Sequence, residues 1–202
     1  MVESQIASRG IRDERVLEAM RKVPRERFVR DRDISMAFFD GPLSIGCGQT
    51  ISQPYIVAYM TEKMGLKSDS RVLEVGTGSG YQTAVLAEIA AAVFTVEIVE
   101  DLSMQARSKL VELGYSNIRF LVGDGCDGWP DESPFDSIIV TASPAIVPQR
   151  LVEQLSDGGT MILPVGVHSQ YLELVKRRGE TVESERLIAV RFVPMTGRIE
   201  RD

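Results

Sequence analysis

The stretch Val72-Leu73-Glu74-Val75-Gly76-Thr77-Gly78-Ser79-Gly80-Tyr81 decides the fold of this chain. Its first residues predict a buried strand, and its alternating glycines predict a tight turn, because glycine lacks a Cβ and tolerates positive φ. A helix from Tyr81 to about Ala91 is expected to follow and to offer the free N–H groups of its first turn to a ligand. Glu97 ends the next predicted strand, about 20 residues on, where nucleotide-binding folds place a carboxylate for ribose hydroxyls.

The spacing of the glycines indicates which ligand the turn suits. The dinucleotide fingerprint G-x-G-x-x-G needs glycine at its sixth position, which is Tyr81 counted from Gly76 and Thr83 counted from Gly78. No Gly-Lys-Ser/Thr follows, so the P-loop pattern is absent too. The remaining pattern, acidic-x-Gly-x-Gly-x-Gly, resembles motif I of the S-adenosylmethionine-dependent methyltransferases. This resemblance predicts a Glu74 carboxylate near the ammonium end of that cofactor.

Strands and helices alternate along the rest of the chain. The predicted strands are Arg71–Val75, Val93–Ile98, Ile118–Val122, Ser137–Thr141 and Thr160–Val165, and the predicted helices are Tyr81–Ala91, Asp101–Leu113 and Val147–Leu155. The strands are near-continuous apolar runs, as in a parallel sheet with both faces covered. Tyr171–Arg177 and Leu187–Pro194 are expected to form a hairpin-like pair. The pattern is typical of a doubly wound, mostly parallel α/β sheet.

The residues before the sheet predict a helical extension. Apolar spacing indicates a helix over residues 12–22, and Pro54 is placed to begin a second helix that runs to Gly65. The segment between them, Phe38–Gln53, is rich in glycine and proline and is expected to be a loop with apolar anchors. We therefore expect one domain over residues 1–202, with helices and a substrate loop at 1–66 and an α/β core with C-terminal strands at 67–202.

Composition argues against several classes of partner. The net charge of −6 disfavours a nucleic-acid partner, because phosphate contacts need clustered Lys and Arg. The first 32 residues are locally basic but interleaved with acids, and are interpreted as a solvated helix face. No apolar run approaches the roughly 18 residues of a membrane span, and the start lacks a signal-peptide pattern, so no membrane partner is expected.

The cysteines and the histidine limit the kinds of catalytic site that the chain can form. Cys47 and Cys126 are the two cysteines, interpreted as small buried hydrophobes in a protein of the reducing cytoplasm. His168 is the single histidine and cannot by itself supply a zinc cluster. It is interpreted as a loop residue. The chemistry is therefore expected to use neither a metal nor a histidine base.

Ligands in such sheets bind beyond the carboxyl ends of the strands, which extends the list of candidates. Asp124, between Gly123 and Gly125, is a candidate acceptor for an adenine amine, and the alternative is an ordinary turn aspartate. The predicted cofactor-binding residues are Glu74, Gly76, Thr77, Gly78, Ser79, Gly80, Tyr81, Glu97, Ile98, Asp124, Gly125 and Thr141.

The segment before the glycine turn carries the most specific pattern. Asp40-x-Pro42-Leu43-x-Ile45-Gly46-x-Gly48-Gln49-Thr50-Ile51-Ser52-Gln53-Pro54 resembles the signature of the protein-L-isoaspartate (D-aspartate) O-methyltransferases. The similarity extends over nearly the whole chain, with modest departures such as Ser44, where the family often has proline. It implies a Rossmann-like methyltransferase fold with an altered order of the last strands, and S-adenosylmethionine as cofactor. A monomer is expected.

The resemblance also implies a reaction. The family methylates the free α-carboxyl of isoaspartyl residues, or the side-chain carboxyl of D-aspartyl residues, in damaged proteins, and the ester then closes to a succinimide. A carboxylate with a pKa near 4 is ionised at pH 7 and needs no general base. The resemblance favours Ser52 as the catalytic residue that donates to this carboxylate, although capping of the next helix suits the sequence equally well. Gln49, Thr50 and Ile51 complete the predicted substrate-binding residues.

Three other functions are weighed against the methylation of isoaspartyl residues. A methyltransferase acting on RNA or a small metabolite would explain the basic N-terminus, but the Asn/Asp-Pro-Pro-aromatic motif of amino-nitrogen methylation is absent. A cofactor-binding module without catalysis is disfavoured because the glycine turn and Ser52 are both present. A nicotinamide dehydrogenase is disfavoured by Tyr81 and Thr83.

Overall fold

One mixed sheet of seven strands organises the protein, whose computed structural model describes residues 1–198. The N-terminal part contains the short helical turns Val2–Ile6, Ala7–Arg9, Arg25–Phe28 and Asp31–Met36, the helices α1 (Glu14–Lys22) and α2 (Pro54–Met64), and the strands β1 (Leu43–Gly46) and β2 (Gln49–Ile51). The sheet region contains β3 (Arg71–Val75), α3 (Tyr81–Ala87), β4 (Ala92–Glu97), α4 (Glu100–Glu112), β5 (Ile118–Val122), a turn at Pro130–Glu132, β6 (Phe135–Val140), α5 (Gln149–Glu153), β7 (Leu155–Val165), β8 (Gln170–Arg178) and β9 (Thr181–Val190).

The strand order across the sheet is β5-β4-β3-β6-β7-β8-β9. The five strands from β5 to β7 pair in parallel, and β8 and β9 add antiparallel. The predicted doubly wound, mostly parallel sheet and its terminal antiparallel pair are confirmed, but the second strand of that pair spans Thr181–Val190 rather than the predicted Leu187–Pro194. The chain runs outward from β3 to β5 and then returns to place β6 on the other side of β3. This reversal makes the carboxyl ends of β3 and β6 a topological switch point, where ligands of such sheets bind.

Two hydrophobic cores cover the two faces of the sheet. Val72 of β3 points into one core and Leu73 into the other, as the alternation along a strand requires. The first core includes Ile6 and Met20 of the N-terminal helices together with Val85 of α3. The N-terminal extension therefore packs on one face of the sheet, and within residues 1–198 no helix has the length and apolar character to cross a membrane.

Helix α3 ends four residues earlier than predicted. It stops at Ala87 rather than Ala91, because the side-chain amide of Asn117 donates to the carbonyls of Ala87 (2.9 Å) and Ala90 (3.1 Å). Asn117 precedes β5, so the signal that ends the helix is distant in sequence. Helix α5 is also shorter than predicted, since it spans Gln149–Glu153 rather than Val147–Leu155 and Leu155 already begins β7.

The segment predicted as a loop over Phe38–Gln53 contains a β-hairpin. Strands β1 and β2 pair antiparallel, with Leu43 opposite Ile51, around a turn that includes Cys47 at φ 52°. Cys47 is exposed at this turn, so its interpretation as a buried hydrophobe was wrong, whereas Cys126 is buried as predicted. His168 lies exposed in a loop, which confirms its interpretation.

Candidate active site

The turn after β3 has the conformation that its glycines predict. Gly76, Gly78 and Gly80 have φ angles of 96°, 53° and 87°. A Cβ on Gly76 would overlap with the hydroxyl oxygen of Thr141, at the end of β6. That hydroxyl lies 2.7 Å from the carbonyl of Gly76 and 3.1 Å from the carbonyl of Val75, to which it donates. Thr141 therefore fixes the beginning of the glycine turn, and the turn tolerates no side chain there.

Glu97 connects the end of β4 to this turn. One carboxylate oxygen accepts from the N–H of Gly78 (2.9 Å) and the other accepts from the N–H of Val99 (2.9 Å). The side chain is 6% exposed. Because a carboxylate has about four acceptor positions, two remain for a ligand. Glu97 thus holds the turn and keeps the capacity to bind ribose hydroxyls.

The expected contact between the Glu74 carboxylate and a cofactor ammonium is not what the structure supports. Glu74 has no solvent exposure, and its Oε2 accepts from the hydroxyls of Thr83 (2.5 Å) and Thr95 (2.7 Å). Thr95 also lies 2.6 Å from the hydroxyl of Thr77, which must donate to it because the Thr95 proton is already used. Glu74 therefore orders the glycine turn from beneath, through Thr95 and Thr77.

Burial raises the pKa of Glu74 to about 8, because the low-dielectric interior disfavours the charged carboxylate. From the ordinary value of 4.5 up to about 8, the folded protein keeps a proton that the unfolded chain has lost. The stability contributed by Glu74 is therefore lost as the pH rises through this window.

The variant Glu74→Gln is expected to lose less stability than the wild type as the pH rises from about 5 to about 8, because glutamine carries no titratable proton. Melting temperatures of both proteins at the two pH values measure the difference. Glu100→Gln, a change at an exposed carboxylate on α4, serves as the control. Parallel curves for wild type and Glu74→Gln would contradict a protonated Glu74.

Asp124 also differs from expectation. Its two oxygens accept from the backbone N–H groups of Cys126 (3.0 Å) and Arg198 (2.9 Å), and its carboxylate packs against Gly197. Burial opposes ionisation, but these N–H donors and the Arg198 charge outweigh it and lower the pKa of Asp124. The carboxylate joins two loops and does not face the cavity described next. The turn-aspartate alternative describes its contacts better.

A cavity with about 780 Å³ of empty space, including its open mouth, lies above the switch point. Among the residues predicted from the sequence, it is lined by Gln49, Thr50, Ile51, Ser52, Gly76, Thr77, Gly78, Ser79, Tyr81, Glu97, Ile98, Gly125 and Thr141. Glu74, Gly80 and Asp124 lie outside the wall. The fold thus brings the predicted substrate segment and the predicted cofactor turn to one cavity.

Sequence reasoning missed one wall of this cavity. Val193, Pro194, Met195 and Thr196 line it from the region after β9. Ser143 fixes this segment, since its N–H donates to the carbonyl of Val193 (2.8 Å) and its carbonyl accepts from the N–H of Met195 (2.9 Å). The run Val190-x-Phe192-Val193-Pro194 could have served as a signal, but Leu187–Pro194 was predicted only as a strand of the terminal pair.

Ser52 lies where the cavity meets a second, open groove. Thr50 and Ser52 line both spaces, and the groove continues along Pro42, Ile56 and residues 189–192. Within residues 1–198 the Ser52 hydroxyl has no hydrogen-bond partner, and helix α2 has no side-chain cap at its N-cap residue Gln53. Asp40 instead accepts from the N–H of Tyr55 (3.3 Å) in the first turn of α2. The structure therefore does not support capping as the role of the Ser52 side chain.

The residues of the cavity suit a nucleoside cofactor that has no pyrophosphate. The turn exposes backbone rather than a cationic phosphate site, Glu97 retains free acceptor positions, and Ile98 presents a 39% exposed apolar side chain at the edge. Within the described residues, no group of His, Cys, Asp and Glu side chains converges as metal ligands would. The fold and the cavity define a Rossmann-like, S-adenosylmethionine-dependent methyltransferase.

Comparison with known proteins gives the family. The family model of the protein-L-isoaspartate(D-aspartate) O-methyltransferases matches residues 1–200, and this chain belongs to that family. The protein-L-isoaspartate O-methyltransferase of Picosynechococcus sp. is 54% identical over 197 residues, which cover 98% of this chain and 89% of the relative. That of Opitutus terrae is 55% identical over 198 residues, covering 97% and 85%.

Solved structures agree with this assignment. A protein-L-isoaspartate O-methyltransferase superposes with a TM-score of 0.90 at 30% identity and covers 98% of this chain and 67% of its own. A family protein from Plasmodium falciparum, crystallised with S-adenosyl-L-homocysteine, superposes with a TM-score of 0.84 at 26% identity and covers 96% of both chains.

Proposed function

We propose that this chain transfers a methyl group from S-adenosylmethionine to the free carboxylate of L-isoaspartyl residues in damaged proteins. The observation that carries the proposal is the Ser52 hydroxyl, which is half-buried, without a partner in the described chain, and placed where the cofactor cavity meets an open groove. Family membership favours this activity over an RNA or metabolite methyltransferase.

S-adenosylmethionine, when bound, supplies a methyl group on a positively charged sulfur. We propose that the backbone of Gly76–Gly78 and the carboxylate of Glu97 hold it, with Ile98 packing beside its adenine. The N–H of Gly78 already donates to Glu97, so the residues that bind the cofactor also fix one another. Such mutual support holds the site near its binding geometry before the ligand arrives.

The acceptor carboxylate has to be oriented rather than deprotonated. An isoaspartyl carboxylate is ionised at pH 7, so no base is required. Its negative charge decreases as its oxygen bonds to the methyl carbon, and a hydrogen bond to it therefore weakens toward the transition state. A donor such as Ser52 consequently acts by aiming the oxygen rather than by stabilising developing charge. Closure of the surrounding loop would exclude water that competes for the same oxygen.

The groove beyond Ser52 suits an extended peptide. Pro42, Ile56 and Phe192 give it apolar walls, and Arg191 contributes a positive charge favourable to a carboxylate-bearing segment. It is open to solvent along its length, so that neighbouring residues of a protein substrate can extend outside it. We propose that this groove receives the residues that flank the isoaspartyl site.

An isoaspartyl peptide is expected to accept a labelled methyl group, whereas its normal L-aspartyl counterpart of the same sequence is not. In the normal residue the α-carboxyl is part of the peptide bond, and the free carboxylate belongs to the side chain, one methylene further from the Cα than in the isoaspartyl residue. Incorporation of label into both peptides and into a D-aspartyl version measures the selectivity. Equal labelling of the L-isoaspartyl and L-aspartyl peptides, or labelling of RNA instead, would overturn the proposed substrate.

Ser52→Ala is expected to lower turnover of the isoaspartyl peptide by about tenfold or more, or about 1.4 kcal/mol, because the acceptor loses its orienting donor. Binding of S-adenosylmethionine, measured by calorimetry, is expected to stay within about twofold. Ser44→Ala is the matched control, since this exposed hydroxyl belongs to the same hairpin but lies outside both cavities. If both variants turn over like the wild type, Ser52 does not contact the substrate.

A further inference from the structure

Arg25 is a charged side chain with no solvent exposure, located between the N-terminal extension and the site. Its Nε donates to the carbonyl of Ala37 (2.8 Å) and its Nη2 donates to the carbonyl of Ser52 (2.8 Å). The guanidinium carbon lies 4.7 Å from the ring centroid of Tyr81, the first residue of α3. Arg25 thus contacts both ends of the segment that carries the hairpin, and the residue that follows the glycine turn.

These contacts are unusual for a residue that serves only folding. Removing a guanidinium from water costs several kcal/mol, and burial is normally compensated by a carboxylate partner. The hydrogen bonds of Arg25 go to two backbone carbonyls instead, the Asp40 carboxylate favours its charge without forming an ion pair with it, and its Nη1 has no hydrogen-bond partner in the described chain. An apolar side chain would fill much of the same space without this cost. The buried arginine therefore indicates that the two carbonyls must be held in a defined geometry, which an apolar residue cannot do.

The planar fork of arginine meets this requirement. Its nitrogens donate in fixed directions within one plane, and the plane stacks on an aromatic ring, so two carbonyls are held at a set separation. Lysine keeps the charge but concentrates it on one tetrahedral nitrogen at the end of a flexible chain. Ala37 and Ser52 bracket residues 38–51, so fixing their carbonyls fixes where the β1–β2 hairpin leaves and rejoins the body of the protein.

We propose that Arg25 is a positioning residue for methyl transfer, which holds the backbone of Ser52 so that its hydroxyl meets the acceptor carboxylate. The proposal rests on the proposed function, in which Ser52 contacts the substrate. Arg25 contacts the site at Ser52 and at Tyr81, and the proposal assigns its effect on methyl transfer to the Ser52 contact. The expected signature is a loss of methyl transfer with S-adenosylmethionine binding preserved.

Two substitutions at Arg25 and one control test the proposal. Arg25→Lys retains the charge and Arg25→Met retains an unbranched apolar chain, but neither presents the planar pair of donors that reaches the two carbonyls. Both are expected to lower kcat for the isoaspartyl peptide by about tenfold or more, with the Kd of S-adenosylmethionine within about twofold. Leu17→Ala removes a buried side chain of α1 in the same core, and is expected to lower the melting temperature at least as much while kcat, measured below that temperature, stays within about twofold.

A double-mutant cycle with Ser52→Ala separates positioning from general loosening. If Arg25 acts through Ser52, adding Arg25→Met to Ser52→Ala is expected to change kcat by less than about twofold. A further tenfold loss in the double variant would overturn the proposal, as would a parallel loss of cofactor binding in Arg25→Lys. A tenfold loss in Ser52→Ala with an unaffected Arg25→Met would overturn this inference alone. An unaffected Ser52→Ala would instead remove the role of Ser52 on which the inference rests.

Discussion

Gly76→Ala is expected to raise the Kd of S-adenosylmethionine by about 100-fold, or about 2.7 kcal/mol. The φ of 96° at Gly76 is strained for a residue with a Cβ and costs about 1–3 kcal/mol. The new methyl group would also overlap with the Thr141 hydroxyl, which two hydrogen bonds hold in place. The turn must therefore shift away from Thr141, and the backbone that faces the cofactor shifts with it.

Calorimetric titration with S-adenosylmethionine measures this effect, and Gly114→Ala supplies its control. Gly114 has a φ of 87°, but a Cβ at this residue would meet no atom within 4 Å, and the residue lies outside the site, after α4. This control carries the backbone strain without the overlap, and its affinity for the cofactor is expected to be that of the wild type. If Gly76→Ala also binds with unchanged affinity, the turn does not hold the cofactor.

Glu97→Gln is expected to weaken S-adenosylmethionine binding by about 30-fold, or about 2 kcal/mol. The carboxylate accepts from two backbone N–H groups, those of Gly78 and Val99. A glutamine side chain has one acceptor oxygen, so one of these donors must face an NH₂ group instead. The substitution therefore disturbs the glycine turn and removes an acceptor for the ribose hydroxyls at the same time.

The same titration tests this second prediction, with Glu100→Gln as the chemically identical change at an exposed position three residues further on. The melting temperature of Glu97→Gln is expected to fall only modestly, since the side chain lies at the cavity rather than in the core. Unchanged affinity in Glu97→Gln would exclude Glu97 from the cofactor site. Equal losses in both glutamine variants would point to net charge rather than to this contact.

The sheet and its switch point were predictable because their signals are local. The apolar run before Gly76 specified β3, the glycines specified a turn with positive φ, and the polar residue Glu97 marked the end of β4. Each of these signals lies within a few residues of the structure it predicts. The Gln49–Ser52 segment was placed at the cavity for a different reason, namely its resemblance to a family signature.

The remaining features depend on partners that are distant in the sequence. Glu74 is buried because Thr83 and Thr95, on α3 and β4, supply hydroxyl donors, and a lone acidic residue before a glycine turn carries no sign of that. Arg25 belongs to a basic stretch interpreted as solvated, yet its carbonyl partners are 12 and 27 residues away. Paired distant contacts of this kind leave no periodic pattern, so a single sequence does not reveal them.

The meeting of the two cavities at Thr50 and Ser52 has a consequence for inhibitor design. An adenosine-like group in the cofactor cavity and a carboxylate-bearing peptide in the groove would meet at these two residues, which line both spaces. A short covalent link between the two parts would pass beside the Ser52 hydroxyl and would join two binding events into one. A compound of this form would occupy the position at which the family's reaction transfers the methyl group. A longer link would move the junction between its two parts away from Ser52.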